Sequence, residues 1–175
     1  MYVSLTCSGG IVGVPGALPT HWTLVSGYLI GPGANLNGAT LGYANLNYAD
    51  LEGADLNGAT LYYSYLEYAD LTGATVTNAD LTGANLQVTV LAHANLTNTG
   101  MLGANLSGAD LNFANLTVAY LYDADLEDAT LISANLTGAN LTGAFLVDVT
   151  WSDTTCPDTT NSSSYSPQTC IGHGI

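Results

Sequence analysis

The chain has 175 residues, no Lys, no Arg and 14 Asp plus Glu, for a formal charge of −14. Without basic side chains it cannot neutralise phosphates, so direct nucleic-acid binding is not expected, and an anionic membrane surface would repel it. Charged residues are still only 8% of the chain, about a third of ordinary usage, so the predicted surface is mainly neutral and polar, and no apolar run is long enough to insert into a membrane.

Residues 1–33 read as an N-terminal cap and first coil. Tyr2-Val3-Ser4-Leu5 and Trp22-Thr23-Leu24-Val25 have strand-like content, and Pro15, Pro19 and Pro32 break the segment into turns. Trp22, Leu24, Tyr28 or Ile30 is expected to cover the open end of the body that follows. The segment lacks the basic start and continuous apolar stretch of a signal peptide.

From residue 34 to 151 the chain repeats every five residues. A large aliphatic side chain recurs from Leu36, Leu41 and Leu46 to Leu146, with Val76 and Met101 as the only centres that are not Leu. Two positions earlier sits a small residue, Ala34, Ala39, Ala44 and onward to Ala144, replaced only by Ser64, Thr89 and Thr99. A period of five fits neither helix nor strand, since apolar positions would spiral around either element instead of forming a face. The chain must therefore turn once per unit. Four such sides close a square coil, and stacked coils place the aliphatic residues in a central column with the small residues beside them.

The corners have matching chemistry. Gly38, Gly53, Gly58, Gly73, Gly83, Gly108, Gly138 and Gly143 stand two residues after a centre, where a turn needs φ > 0. Asn35, Asn45, Asp50, Asp55, Asp70, Asp80, Asn95, Asn105 and Asp110 stand just before one, placed to bond backbone groups that the turn leaves open.

The units Ala94-Asn95-Leu96-Thr97-Asn98 and Ala134-Asn135-Leu136-Thr137-Gly138 resemble the pentapeptide-repeat family. That resemblance implies an all-β fold, a right-handed quadrilateral β-helix with the centre and the small residue inward and the other three outward. Its functional implication is broad, because the family includes acidic DNA mimics that inhibit DNA gyrase as well as members with no assigned role.

About six coils at ~4.8 Å each make a body about 28 Å long, with positions 20 residues apart on one side. Tyr43 then lies over Tyr63, and Tyr48 over Tyr68, on two corners bordering one side, with Tyr62 and Tyr65 close by: a candidate partner patch. Asn37, Asn57, Thr77, Thr97, Thr117 and Thr137 form a second, strongly hydrated column. A third side passes from Asp50, Glu52 and Asp70 to the apolar Val90, Ala92, Phe113 and Ile132.

Trp151 falls on the next centre and can close the lower end, and residues 152–175 form a Ser/Thr-rich C-terminal cap or tail. Cys7 precedes the first coil while Cys156 and Cys170 follow the last, so a bond from Cys7 would span the body, far beyond the ~7 Å that a disulfide allows between Cα atoms. Cys156–Cys170 is the expected staple, and it points to an oxidising, extracellular location. Cys7, Trp22 and Trp151 are candidate intermolecular contacts at the two ends.

A Leu- and Ala-filled interior has no pocket for catalysis, so no enzyme activity and no cofactor are expected. His21, His93 and His173 lack metal-ligand spacing. Asp123, Asp125, Glu127 and Asp128 cluster near one corner, a solvated patch in preference to a weak Ca²⁺ site. Five of six Asn-x-Ser/Thr sequons, at Asn95, Asn105, Asn115, Asn135 and Asn140, arise from the repeat itself; only Asn161 is independent of it.

The leading expectation is a secreted, non-enzymatic structural rod that self-associates end to end into a homo-oligomer or filament, because solenoid ends expose strand edges. The alternatives are an acidic inhibitor of a topoisomerase such as DNA gyrase and a glycan- or surface-binding module using the tyrosines.

Overall fold

The computed structural model describes residues 18–161 and Cys170. The strand expected at residues 2–5, Cys7 and His173 lie outside them. Two short strands open the described chain, β1 (Thr23–Val25) and β2 (Tyr28–Ile30), paired antiparallel with Leu24 opposite Leu29. Ser26 and Gly27 join them with φ of 51° and 83°, the two positive values that a type I′ hairpin turn requires.

From Asn35 onward every fifth residue bridges in parallel to the residue 20 positions later, without a gap from Asn35↔Asp55 to Asn135↔Thr155. The result is the expected right-handed quadrilateral β-helix, and the described residues contain no helix. No helix there is long and apolar enough to cross a membrane.

One unit shows why the coil closes. Ala94 N–H donates to Leu91 O (3.0 Å) across the turn, and Asn95 N–H to Ala74 O (2.9 Å) in the coil before. Leu96 N–H and Asn98 N–H donate to Asn115 O (2.8 Å) and Thr117 O (3.0 Å) in the coil after. The fifth donor, Thr97 N–H, reaches the Asn95 side-chain Oδ1 (3.2 Å). All five backbone donors are thus satisfied, which a short-sided coil needs in order to be stable.

The Asx bond recurs at every Asn or Asp singled out in the sequence, from Asn35 to Asp110. At each corner from Gly33 to Asp153 the second residue after the centre has φ > 0, including Gly38 (64°) and Gly138 (67°). With the residue before it not in that region, this is a type II turn. The geometry is imposed on every corner, so Val88 and Val118 adopt it as well, at 55° and 51°.

Centres from Leu36 to Leu141 are at most 3% exposed, and the small residues line the same interior. Where a hydroxyl replaces Ala, a backbone carbonyl accepts its proton: Ser64 Oγ to Leu61 O, Thr89 Oγ1 to Leu66 O and Thr99 Oγ1 to Val76 O, each 2.7 Å. Among the described residues no buried side-chain N or O lacks a partner.

Both ends of the column are plugged. Gly31 occupies a centre position without a side chain, and the Trp22 indole fills the space: a Cβ on Gly31 would lie 2.6 Å from Trp22 Cε2. Ile30 is buried beside it, and Val25 and Tyr28 pack against the core, while Leu24 is half-buried. At the other end Trp151 takes a centre position at 5% exposure, and the register continues to Cys156, fully buried and bonded to Cys170 with Cα atoms 5.3 Å apart. The chain then reverses, pairing Thr155 antiparallel with Asn161, and Cys156 N–H donates to Thr160 O (2.7 Å).

Candidate functional site

Four tyrosines occupy corners where φ is positive: Tyr43 (59°), Tyr48 (59°), Tyr63 (53°) and Tyr68 (58°). A left-handed conformation costs a non-glycine residue roughly 1–2 kcal/mol. Stacking offsets part of that cost, because aromatic pairs contribute roughly 0.5–1.5 kcal/mol beyond simple burial. Tyr43 and Tyr63 stack at 5.5 Å and 14°, Tyr48 and Tyr68 at 5.1 Å and 7°. Tyr62 stands edge-on to Tyr43 at 5.2 Å and to Tyr63 at 6.3 Å. Its ring lies over Gly42, where a Cβ would come within 2.7 Å of Tyr62 Cζ.

The two stacks border one side of the square, and all four corner rings are exposed, as is Tyr65 between them. Asn47 and Glu67 share that strip. Asn47 Nδ2 donates to Glu67 Oε2 (3.3 Å), while Glu67 N–H donates to Asn47 Oδ1 (2.9 Å). The second bond substitutes for an Asx acceptor, which Tyr65 just before the centre does not carry.

At the N-terminal end of the strip the β1–β2 hairpin folds back to make a cleft of about 420 Å³, lined by His21, Trp22, Asn45, Asn47, Tyr48 and Asp50 among others. His21 Nδ1 lies 3.2 Å from Asp50 Oδ2 across it. The sequence expectation located the tyrosines and placed Trp22 at the end, but not this cleft. The one available signal was Gly31, a glycine in the centre register with room for a ring from elsewhere.

The side opposite, ten residues away in register, carries the Asn/Thr column. Thr97 Oγ1 donates to Asn95 Oδ1 (2.7 Å) and accepts from Asn115 Nδ2 (3.0 Å). Thr117 Oγ1 repeats the pattern with Asn115 Oδ1 (2.6 Å) and Asn135 Nδ2 (3.1 Å), and Thr137 Oγ1 donates to Asn135 Oδ1 (2.6 Å). The sequon amides at Asn115 and Asn135 are therefore bonded into the side, and Asn161 Nδ2 donates to Asp153 O (3.2 Å).

The remaining candidates are dispersed. His93 is exposed and stacks on Phe113 at 4.8 Å and 6°, on the side that turns apolar toward its C-terminal half. Among the described residues no group of His, Cys, Asp or Glu, Asp123 to Asp128 included, is arranged to hold a metal ion. Trp151, placed at the lower tip as a candidate contact, is a core residue of its own chain, because the cap formed by Cys156 and Cys170 continues the column past it.

The repeat is matched by the family described as Pentapeptide repeats, in 8 copies covering residues 34–73, 69–99, 77–112, 89–119 and 109–148. Among solved structures, Rfr23 from the cyanobacterium Cyanothece 51142 is similar at 39% identity, over 49% of this chain and 58% of that one, with a TM-score of 0.48. A pentapeptide repeat protein from Nostoc Pcc 7120 is 35% identical over 60% of this chain and 81% of its own, with a TM-score of 0.46. A trypsin-treated form of QnrB1, a plasmid-mediated fluoroquinolone resistance protein, is 17% identical over 70% and 65% of the two chains, with a TM-score of 0.58, a likeness of fold. No curated protein matches the chain. Five-residue units, positive-φ corners and a Leu/Ala interior agree with the family match over most of the body: the chain belongs to the pentapeptide repeat family.

Proposed function

We propose that this chain is a non-enzymatic recognition rod of an oxidising, extracellular setting, and that its tyrosine-flanked side binds a glycan. The carrying observation is the strip itself: two exposed tyrosine stacks enclose Asn45, Asn47, Tyr65 and Glu67 and run into a cleft holding Trp22. Ring faces suit the C–H faces of sugars, and amides and carboxylates between them suit their hydroxyls. An aliphatic interior packed at every centre supports a role exercised on the outer surface. The buried Cys156–Cys170 bond supports the compartment.

Binding of the purified chain to a glycan array tests the reading. Retention that falls in both Tyr43→Ala and Tyr68→Ala is the expected result; no retained glycan, or retention indifferent to both substitutions, refutes it.

Self-association is the second reading, favoured by Phe145 and Val147, 64% and 54% exposed on the last coil. The plugs at both ends shift the contact from an open strand edge to this apolar rim, and light scattering of Phe145→Asp against the parent chain tests it. A DNA-mimic role has less support, since among the described residues the Asn/Thr side and its two bordering corners carry only Asp55, Asp153 and Asp158 as carboxylates.

A further inference from the structure

We propose that the Asn/Thr side binds ice. Three properties of this side point to a flat, periodic and uncharged ligand. Its outward residues form the rows Thr75-Val76-Thr77, Asn95-Leu96-Thr97, Asn115-Leu116-Thr117 and Asn135-Leu136-Thr137, with Val76 and the three Leu buried beneath. Parallel bridges hold the rows in strict register: Thr75↔Asn95, Asn95↔Asn115, Asn115↔Asn135 and Asn135↔Thr155. Such pairing spaces the rows at ~4.8 Å, close to the repeat of oxygen rows on a surface of hexagonal ice.

The second property is neutrality. In the rows from Thr75 to Thr137 no outward residue of this side is charged, in a chain of formal charge −14; the corners along one edge are Asn78, Asn98, Val118 and Gly138, and those along the other are Gly73, His93, Phe113 and Ser133. A charge would hold water in a shell oriented toward itself and break the lattice pattern. The third property is rigidity. Thr97 and Thr117 have their hydroxyl proton and one lone pair committed within the side, leaving the same single acceptor at each rung. Threonine also has few χ1 states to lose, so ordering water on this side costs little side-chain entropy.

A small soluble ligand would need a concave site. A crystalline polysaccharide is the other flat periodic ligand, but the paired aromatic platforms suited to sugars are on the opposite side, at Tyr43, Tyr48, Tyr63 and Tyr68, against the single His93–Phe113 stack along one edge of this side. The two sides can therefore be separated by mutation.

The test is the gap between melting and freezing temperatures of an ice crystal held in a solution of the full chain, together with crystal shape. The expected result is a non-colligative gap with faceted crystals. Thr117→Lys and, independently, Thr97→Lys should abolish both. Thr142→Lys should preserve them, because Asn140-Leu141-Thr142 has the same local sequence as a ladder row but lies on the next side. Tyr43→Ala should also leave the gap intact, which separates this proposal from glycan binding. Unchanged circular dichroism and thermal melting confirm that each variant is folded. The proposal is overturned by ordinary colligative freezing of the parent chain, by equal loss in Thr142→Lys, or by retention on crystalline cellulose that depends on Thr117 with no effect on ice.

Discussion

Leu96 stands mid-column, fully buried, one coil from Val76 on one side and Leu116 on the other. Replacing it by Ala removes three carbon groups at about 0.8 kcal/mol each, a transfer loss of about 2.4 kcal/mol. The remaining loss depends on how far the surroundings collapse into the space. Here the backbone is fixed from both directions, with Asn95 N–H bonded to the coil before at 2.9 Å and Leu96 N–H to the coil after at 2.8 Å. Little collapse is available, so the total should approach about 4 kcal/mol, in the upper part of the range for buried Leu→Ala changes. Against a typical domain stability of about 5–15 kcal/mol, that is a large fraction. Urea unfolding followed by circular dichroism measures it, with Thr97→Ala, on the outer surface next door, as the comparison. A loss below about 1 kcal/mol for Leu96→Ala would mean that the column tolerates a void or that the coils slide to fill it. Either result would defeat the packing argument on which the fold rests.

Opening the Cys156–Cys170 bond, by reductant or by Cys170→Ser, should cost about 3 kcal/mol on loop-entropy grounds; hydrogen exchange should show the loss concentrated in the coil around Trp151, and uniform loss along the body would contradict nearest-neighbour coupling. Gly73→Ala and Gly83→Ala both place a side chain at positive φ, at a cost of about 1 kcal/mol. Only Gly83 has the Tyr63 ring in the way, so only that variant should also change tyrosine fluorescence. Ala84→Leu should destabilise by about 1–3 kcal/mol or more, because the small column has no room for a larger group; thermal melting checks the direction.

The five-residue pattern was enough to establish the solenoid, since no ordinary helix or strand buries every fifth residue. It also located the corners, the inward Ala column and the tyrosine stacks, because each follows from local turn chemistry or from adding 20 to a residue number; the terminal disulfide followed instead from where the three cysteines fall relative to the repeat. Positions such as Val88 and Val118 could not be identified as left-handed from residue type alone; their φ is imposed by coils already closed above and below. The hydroxyls of Thr89 and Thr99 were legible as departures from Ala, but their carbonyl acceptors, Leu66 O and Val76 O, lie in neighbouring coils.

What tertiary structure alone decided lies at the ends and on the surface. Trp22 enters the column at Gly31, His21 reaches Asp50, and the chain beyond Cys156 doubles back onto Thr155. None of these contacts is periodic, so the repeat carries no information about them. The bonds joining Thr97 to Asn115 and Thr117 to Asn135 do follow the repeat, but they too form only once the coils are stacked. The sequence determines which residues share a side; only stacked coils set the distance and angle that turn shared residues into an ordered surface.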